Sequence, residues 1–313
     1  MRALSRLLFA VAFLGVNVER AGSDVRADEL EGNLVYLPMP AGESLAVSNP
    51  LGFVRLRAWD EPQVRIVAEK RARDPRTLER LKVRADVEGG RLRITAGVRF
   101  SDGWRSVPAD KAGLAGAVID LTIDAPRGMT IDASTFGGDL DASGFRAGAH
   151  LESKHGEIRA ADIQGKVDTH SLAGRQSLQG IHGPLDANGV EGDVELVSID
   201  GATLDATVYK GQISAREIRS PVVRLRDAVG LIVFVGDLQR GGRYELSTLD
   251  GDVRMTLRPV PFHIVARAPG GVTVRGLVLR GEVQPTSVSA DYDGGGASLE
   301  LAAARGSIEL TPR

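Results

Sequence analysis

Four histidines, His150, His155, His170 and His182, fall within one stretch of the chain, and imidazole nitrogens this close in sequence raise the question of a metal centre. Their spacing follows neither H-E-x-x-H nor a fixed ligand interval. On the nine-residue ruler described below they occupy different positions, so they are expected to be solvated turn residues with no common facing surface. Acidic residues are equally frequent, at Asp139, Asp141, Asp168, Asp186, Asp193, Asp200 and Asp205. A glycosidase needs two carboxyl groups about 5 to 9.5 Å apart in a cleft. Asp139 and Asp141 could meet that spacing on one strand face, as could many acid pairs on a repetitive surface. Ser171, Ser177 and Ser198 lack a G-x-S-x-G context. The chain has no cysteine, which excludes a thiol nucleophile, a cysteine zinc site and an acylated lipoprotein cysteine. The expectation is a protein without catalytic residues, metal or cofactor.

What positions these side chains is a glycine ladder. Glycine recurs every nine residues at Gly156, Gly165, Gly174, Gly183, Gly192 and Gly201, reaches back to Gly138 and continues at Gly211, with an aliphatic residue usually two and seven positions after each. Repetition on this scale marks a stacked architecture. Alternation such as Val194-Glu195-Leu196 sends side chains to opposite faces, so each unit supplies one short strand. Two units make one rung, and stacking at the strand spacing gives a column roughly 30 Å long. Small residues at the fourth position (Ala142, Ala160, Thr169, Ala187, Ala215) suit a narrow interior. The unit beginning at Gly174 slips, with Gln176 at its first apolar position. Calcium rolls also repeat at nine residues, but they need G-G-x-G-x-D-x-U-x, and these units carry one glycine and no fixed Asp. The glycines are therefore expected to be structural turn formers.

The fold class expected is all-β: a β-solenoid of about nine-residue strand-turn units with an N-terminal β cap and C-terminal strands. The cap is read over residues 28–117 and the solenoid with its C-terminal strands over residues 118–313. Strands of alternating pattern precede the ladder at Ser44, Gly52, Val64, Leu81 and Arg91, and the charged stretch from Asp74 to Arg80 reads as a linker or short helix. Residues 1–27 resemble a signal peptide. Arg2 and Arg6 precede an apolar run over residues 7–18, and Val25-Arg26-Ala27 offers a small-residue cleavage site. A retained anchor is the other outcome, although twelve residues fall short of the twenty that span a bilayer. The formal charge of −2 moves to about −4 once the four basic and two acidic leader residues are removed, which argues against a nucleic-acid partner. The expected location is exported, in the periplasm or at the cell surface.

Two features break the repeat. Trp104, on a polar excursion, either packs back onto the cap or stands exposed as an anchor for a partner. Leu231-Ile232-Val233-Phe234-Val235 is continuously apolar. It is either a strand covered by the C-terminal segments Phe262–Ala266 and Gly271–Arg275, or an apolar stripe through Leu231, Val233 and Val235 for lateral association.

The order of pieces resembles a family of exported bacterial β-solenoid proteins described as candidate adhesins, a domain family of unknown function. The resemblance rests on Leu45-Ala-Val-Ser-Asn-Pro-Leu-Gly-Phe-Val-Arg-Leu-Arg-Ala-Trp-Asp, Val64 to Lys70, Leu121-Thr-Ile-Asp-Ala-Pro-Arg-Gly, the ladder, and Ala297-Ser-Leu-Glu-Leu with Gly306-Ser-Ile-Glu-Leu. It implies the fold and export and carries no site residues. The functional expectation is a non-enzymatic scaffold or adhesin-like binding protein of the cell envelope, whose partner is an envelope protein or polysaccharide. The alternatives are a self-assembling element like the bactofilins and a polysaccharide-active β-helix enzyme.

Overall fold

The computed structural model describes residues 25–27, 34–39, 42–258 and 260–313. The apolar leader over residues 7–18 lies outside them. Val25–Ala27 forms a short strand antiparallel to Leu81–Glu88.

The described residues form an all-β protein with two large, mostly parallel sheets, one of 16 strands and one of 13. From Val118–Pro126 to Val272–Val274 consecutive strands alternate between them. In the first sheet Ala149, Val167, Leu185, Leu204, Val223 and Tyr244 stand in register on neighbouring parallel strands. In the second, Leu140, Ile158, Gln176, Val194, Ile213, Ile232 and Val253 do the same. The inward side chains of both sheets meet in one hydrophobic cluster. Ala142, Ala160, Thr169, Ala187 and Ala215 are all buried there, as the narrow interior requires. Four of the large aromatic residues also turn inward. Phe145, Phe234, Tyr244 and Phe262 are fully buried, and the rings of Phe234 and Tyr244 meet edge to face with centroids 5.9 Å apart.

The ladder glycines are required by close backbone approach. They form two columns, one on each side of the stack. A Cβ on Gly156 would stand 2.0 Å from the carbonyl oxygen of Gly138, and the same conflict recurs from Gly174 to Gly156, Gly192 to Gly174 and Gly211 to Gly192. On the other side a Cβ on Gly183 would stand 2.1 Å from the Gly165 oxygen, and one on Gly201 would stand 1.9 Å from that of Gly183. No side chain fits at such separations.

Chain order and stacking order differ at both ends. Ser44–Asn49 and Val54–Trp59 are parallel neighbours of Thr130–Thr135 and Leu140–Ser143, so they form a rung of the stack. Val118–Pro126, later in the chain, lies beyond Val54–Trp59 and pairs antiparallel with Gln63–Arg71. At the other end, Ala297–Ala303 inserts between Arg243–Asp250 and Phe262–Arg267, and Ile308–Pro312 between Val253–Arg258 and Val272–Val274. The outer strands of the first sheet are antiparallel at both ends, down to the fully exposed Arg280–Gln284. Those of the second sheet end on Leu34–Pro38, closed by a proline, and the three-residue Val272–Val274. Short, charged or proline-bearing edges blunt further strand pairing. The stretch after Asp74 is a short helix, Pro75–Arg80. The Asp74 carboxylate caps it by accepting from the Thr77 N–H at 2.9 Å, and Pro75 occupies its first turn.

Candidate functional site

The residue seven positions after a ladder glycine meets two opposite fates. After Gly138, Gly156, Gly174, Gly192 and Gly211 it is Phe145, Ile163, Ile181, Ile199 and Ile218, all buried. The residue just before it is left-handed in every case: Gly144, Asp162, Gly180, Ser198 and Glu217 have φ between 54° and 81°. A left-handed residue breaks strict alternation and swings the next side chain back inward. For a residue other than glycine it costs about 1–2 kcal/mol, which burial of an isoleucine offsets. The first-sheet strands lack this kink. There Leu172 and Val190, seven positions after Gly165 and Gly183, are 48% and 43% exposed.

Register extends the exposed positions into a column. Ser171 pairs with Gly189 and Ala173 with Glu191, which places Leu172 beside Val190. The same bracketing places Tyr209 beside Val190, then Ala228, then Leu249. Tyr209 is 63% and Leu249 60% exposed. An apolar stripe therefore crosses five successive strands, about 19 Å at the usual strand spacing. A groove of ≈ 350 Å³ lies along its first part, lined by Glu152, Lys154, His170, Leu172, Asn188 and Val190. A second of ≈ 280 Å³ borders Asp227, Thr248, Leu249, Arg267 and Pro269. Sequence reading missed the stripe. Its only signal was an apolar residue at the sixth position of Val167-Asp-Thr-His-Ser-Leu172, where alternation points outward.

The apolar run at 231–235 is not covered by the C-terminal strands. It lies between Ile213–Ile218 and Val253–Arg258, and the C-terminal strands pair elsewhere. Ile232 and Phe234 are buried, while Leu231, Val233 and Val235 face outward, half-buried. Arg216 and Arg254 on the flanking strands stand in register with Val235 and Val233. Trp104 packs back onto the N-terminal strands. Gly103–Arg105 pairs with Arg91–Phe100, the indole covers Gly97, and the Arg84 guanidinium lies 4.6 Å from its ring centroid.

The histidines are less scattered than the nine-residue ruler implied. His150 and His170 meet with ring centroids 5.4 Å apart, because the register makes them diagonal neighbours on the outer face of the first sheet. His150 stands between Asp132 and Asp168, and His170 beside Glu152. Among the described residues no group of three or more His, Cys, Asp or Glu is placed to hold a metal ion. His155 instead packs against Phe136, centroids 5.2 Å apart, and His182 lies on the second sheet beside Gln164. The acid pair is engaged as well. Arg159 bridges Asp139 at 3.4 Å and Asp141 at 3.2 Å, and Arg55 reaches Asp141 at 3.3 Å, on the outer face of the second sheet. Charges are used here as rungs of an ion-pair ladder across neighbouring strands.

No family model matches the chain, and no curated protein sequence matches it. Solved structures similar to this chain include three at 10–11% sequence identity. One is a candidate cell adhesion protein from Clostridium sporogenes, 10% identical over 90% of this chain and 99% of that one, with a TM-score of 0.26. A candidate adhesin from Bacteroides fragilis is 11% identical over 88% of this chain and 95% of that one, with a TM-score of 0.39. A candidate lipid-binding protein from Parabacteroides distasonis is 11% identical with the same coverages and a TM-score of 0.45.

Proposed function

We propose that this chain is a non-enzymatic, exported β-solenoid of the cell envelope that acts as a scaffold or adhesin-like binding protein, with its partner held along the exposed stripe. The observation that carries this reading is the column Leu172, Val190, Tyr209, Ala228 and Leu249, one outward apolar residue per strand on five strands. Water-facing apolar side chains scattered singly need no explanation, whereas an aligned run is the mark of an interaction surface. The stripe favours a protein partner over a polysaccharide. Four of its five side chains are aliphatic, and sugar recognition stacks rings on aromatic platforms, of which Tyr209 is the single example on the stripe. Asp139 and Asp141 are both engaged by Arg159 on the outer face of the second sheet, which speaks against their serving as a glycosidase acid pair. The antiparallel strands at both ends of the first sheet speak against end-to-end stacking of copies in the bactofilin manner.

The test is co-sedimentation of the full chain and its Leu172→Ser/Tyr209→Ser/Leu249→Ser variant with envelopes of the producing cell, intact or protease-treated. Wild type is expected to bind intact envelopes at least tenfold better than the variant and to lose binding after protease treatment. Equal retention of the two proteins, or undiminished binding to protease-stripped polysaccharide, overturns the reading. Recovery of the untagged protein in the cytosol alone would sink the exported placement.

A further inference from the structure

Where the first-sheet strands meet the turn, one inward position recurs on every rung. Register assigns it to Thr135, Ser153, Ser171, Gly189, Val208, Asp227 and Thr248. Hydroxyls at this position tie the strand end to a ladder glycine. Thr135 Oγ1 donates to the Gly138 carbonyl at 2.7 Å, Ser171 Oγ to that of Gly174 at 3.3 Å, and Thr248 Oγ1 to that of Gly230 at 3.3 Å. Asp227 stands in the same place, 4% exposed. Its Oδ1 accepts from the Val229 N–H at 3.0 Å, while its Oδ2 is buried with no hydrogen-bond partner. That oxygen lies against the ladder, since a Cβ on Gly230 would be 2.5 Å from it. A buried carboxylate oxygen with no donor is costly, but a protonated one becomes a donor itself.

We propose that Asp227 is a proton-operated latch in the wall: neutral, its Oδ2–H donates to a turn carbonyl as the hydroxyls of Thr135, Ser171 and Thr248 do on other rungs; ionised, it leaves the Gly211 and Gly230 turns and the groove beside Leu249 loosened. The proton comes from solvent and returns to it. The surrounding charges do not neutralise the carboxylate. Asp193 opposes its ionisation, and Arg267 lines the same groove without a hydrogen bond to it. On its own strand Arg226 faces outward to Asp205 and Glu245. Lys210 and Asp250 flank Val229 rather than Asp227, and Asp250 is paired with Arg305. Burial pushes the Asp227 carboxyl up to about 6, against the pull of the Val229 and Ala228 N–H groups.

Because the folded value lies above the unfolded value of 3.8, folding takes up a proton in this window. The stabilisation is complete below about pH 4 and is lost as pH rises through about 6. The experiment is urea unfolding of the full chain between pH 4.5 and 7.5, comparing wild type with Asp227→Thr and Asp227→Asn. Relative to Asp227→Thr, the wild-type folding equilibrium constant is expected to fall by roughly 25-fold from the acid to the neutral end. At pH 7.5 the Asp227→Thr protein should be the more stable of the two. Amide exchange at Gly211 and Gly230, whose N–H groups donate to the Val229 and Asp250 carbonyls, should quicken in wild type on going from pH 5 to 7.5 beyond the intrinsic rate, and not in the threonine variant. Parallel pH profiles of wild type and variant overturn the proposal. Should neither variant fold, the carboxyl carbon of Asp227 followed by NMR in wild type decides: titration near 6 upholds the latch, and titration near 4 refutes it.

Discussion

Ile163 and Leu172 each stand seven residues after a ladder glycine, yet they end on opposite sides of the wall. Ile163 is fully buried and Leu172 is 48% exposed. The difference is one backbone angle: Asp162, with φ of 54°, turns Ile163 inward, whereas Ser171 precedes Leu172 without such a kink. Replacing Ile163 with Ala should cost about 2–4 kcal/mol, because transfer and cavity terms add. Leu172→Ala should stay within about 0.5 kcal/mol, as surface changes do. Urea denaturation of the two variants checks this. Comparable losses would mean that the stripe is packed rather than presented.

Two adjacent glycines separate the demands of turning from those of stacking. A Cβ on Gly138 would stand 2.2 Å from the carbonyl oxygen of Gly52, while one on Gly137 meets nothing within 4 Å. Backbone cannot yield as a side-chain tip can, since it is held in the parallel ladder. Gly138→Ala is therefore expected to lose about 3 kcal/mol or more, in the range of overpacked cores. Gly137→Ala should be neutral or gain a few tenths of a kcal/mol from a less flexible unfolded chain. Thermal melts of the pair give the answer, and a neutral Gly138→Ala would refute the close-approach account.

The ladder was legible in the sequence because its cause is local and repeated. A glycine is forced wherever two turn backbones touch, so Gly156, Gly174 and Gly192 record the stack directly. The left-handed column was not legible, because Gly144, Asp162, Gly180, Ser198 and Glu217 share a conformation but no residue type. Without it, Ile163 and Leu172 read alike and the stripe stays hidden among core residues. The contact between His150 and His170 was hidden for another reason. They are diagonal neighbours across strands, a relation that exists only once the register is fixed. The placement of Ser44–Trp59 inside the stack and of Val118–Pro126 beyond it depends on long-range pairing, which alternation alone cannot specify.

Gln176, the position where the nine-residue pattern slips, proves to be a polar bridge through the interior. It is buried, accepts from Thr169 Oγ1 at 2.5 Å, and donates through Nε2 to the Asn188 carbonyl at 2.7 Å. Thr169 and Asn188 belong to the first sheet and Gln176 to the second, so these bonds tie the two walls together. Both side chains are satisfied, and the arrangement is specific rather than strongly stabilising. Thr169→Val should cost about 1–3 kcal/mol, because it strands the Gln176 oxygen without a donor. Gln176→Leu should leave the Thr169 hydroxyl in the same position. The double variant Thr169→Val/Gln176→Leu restores the apolar pattern of neighbouring rungs and should recover most of the loss. A double-mutant cycle by chemical denaturation measures that recovery. Strictly additive losses would show that the two side chains do not act as a pair.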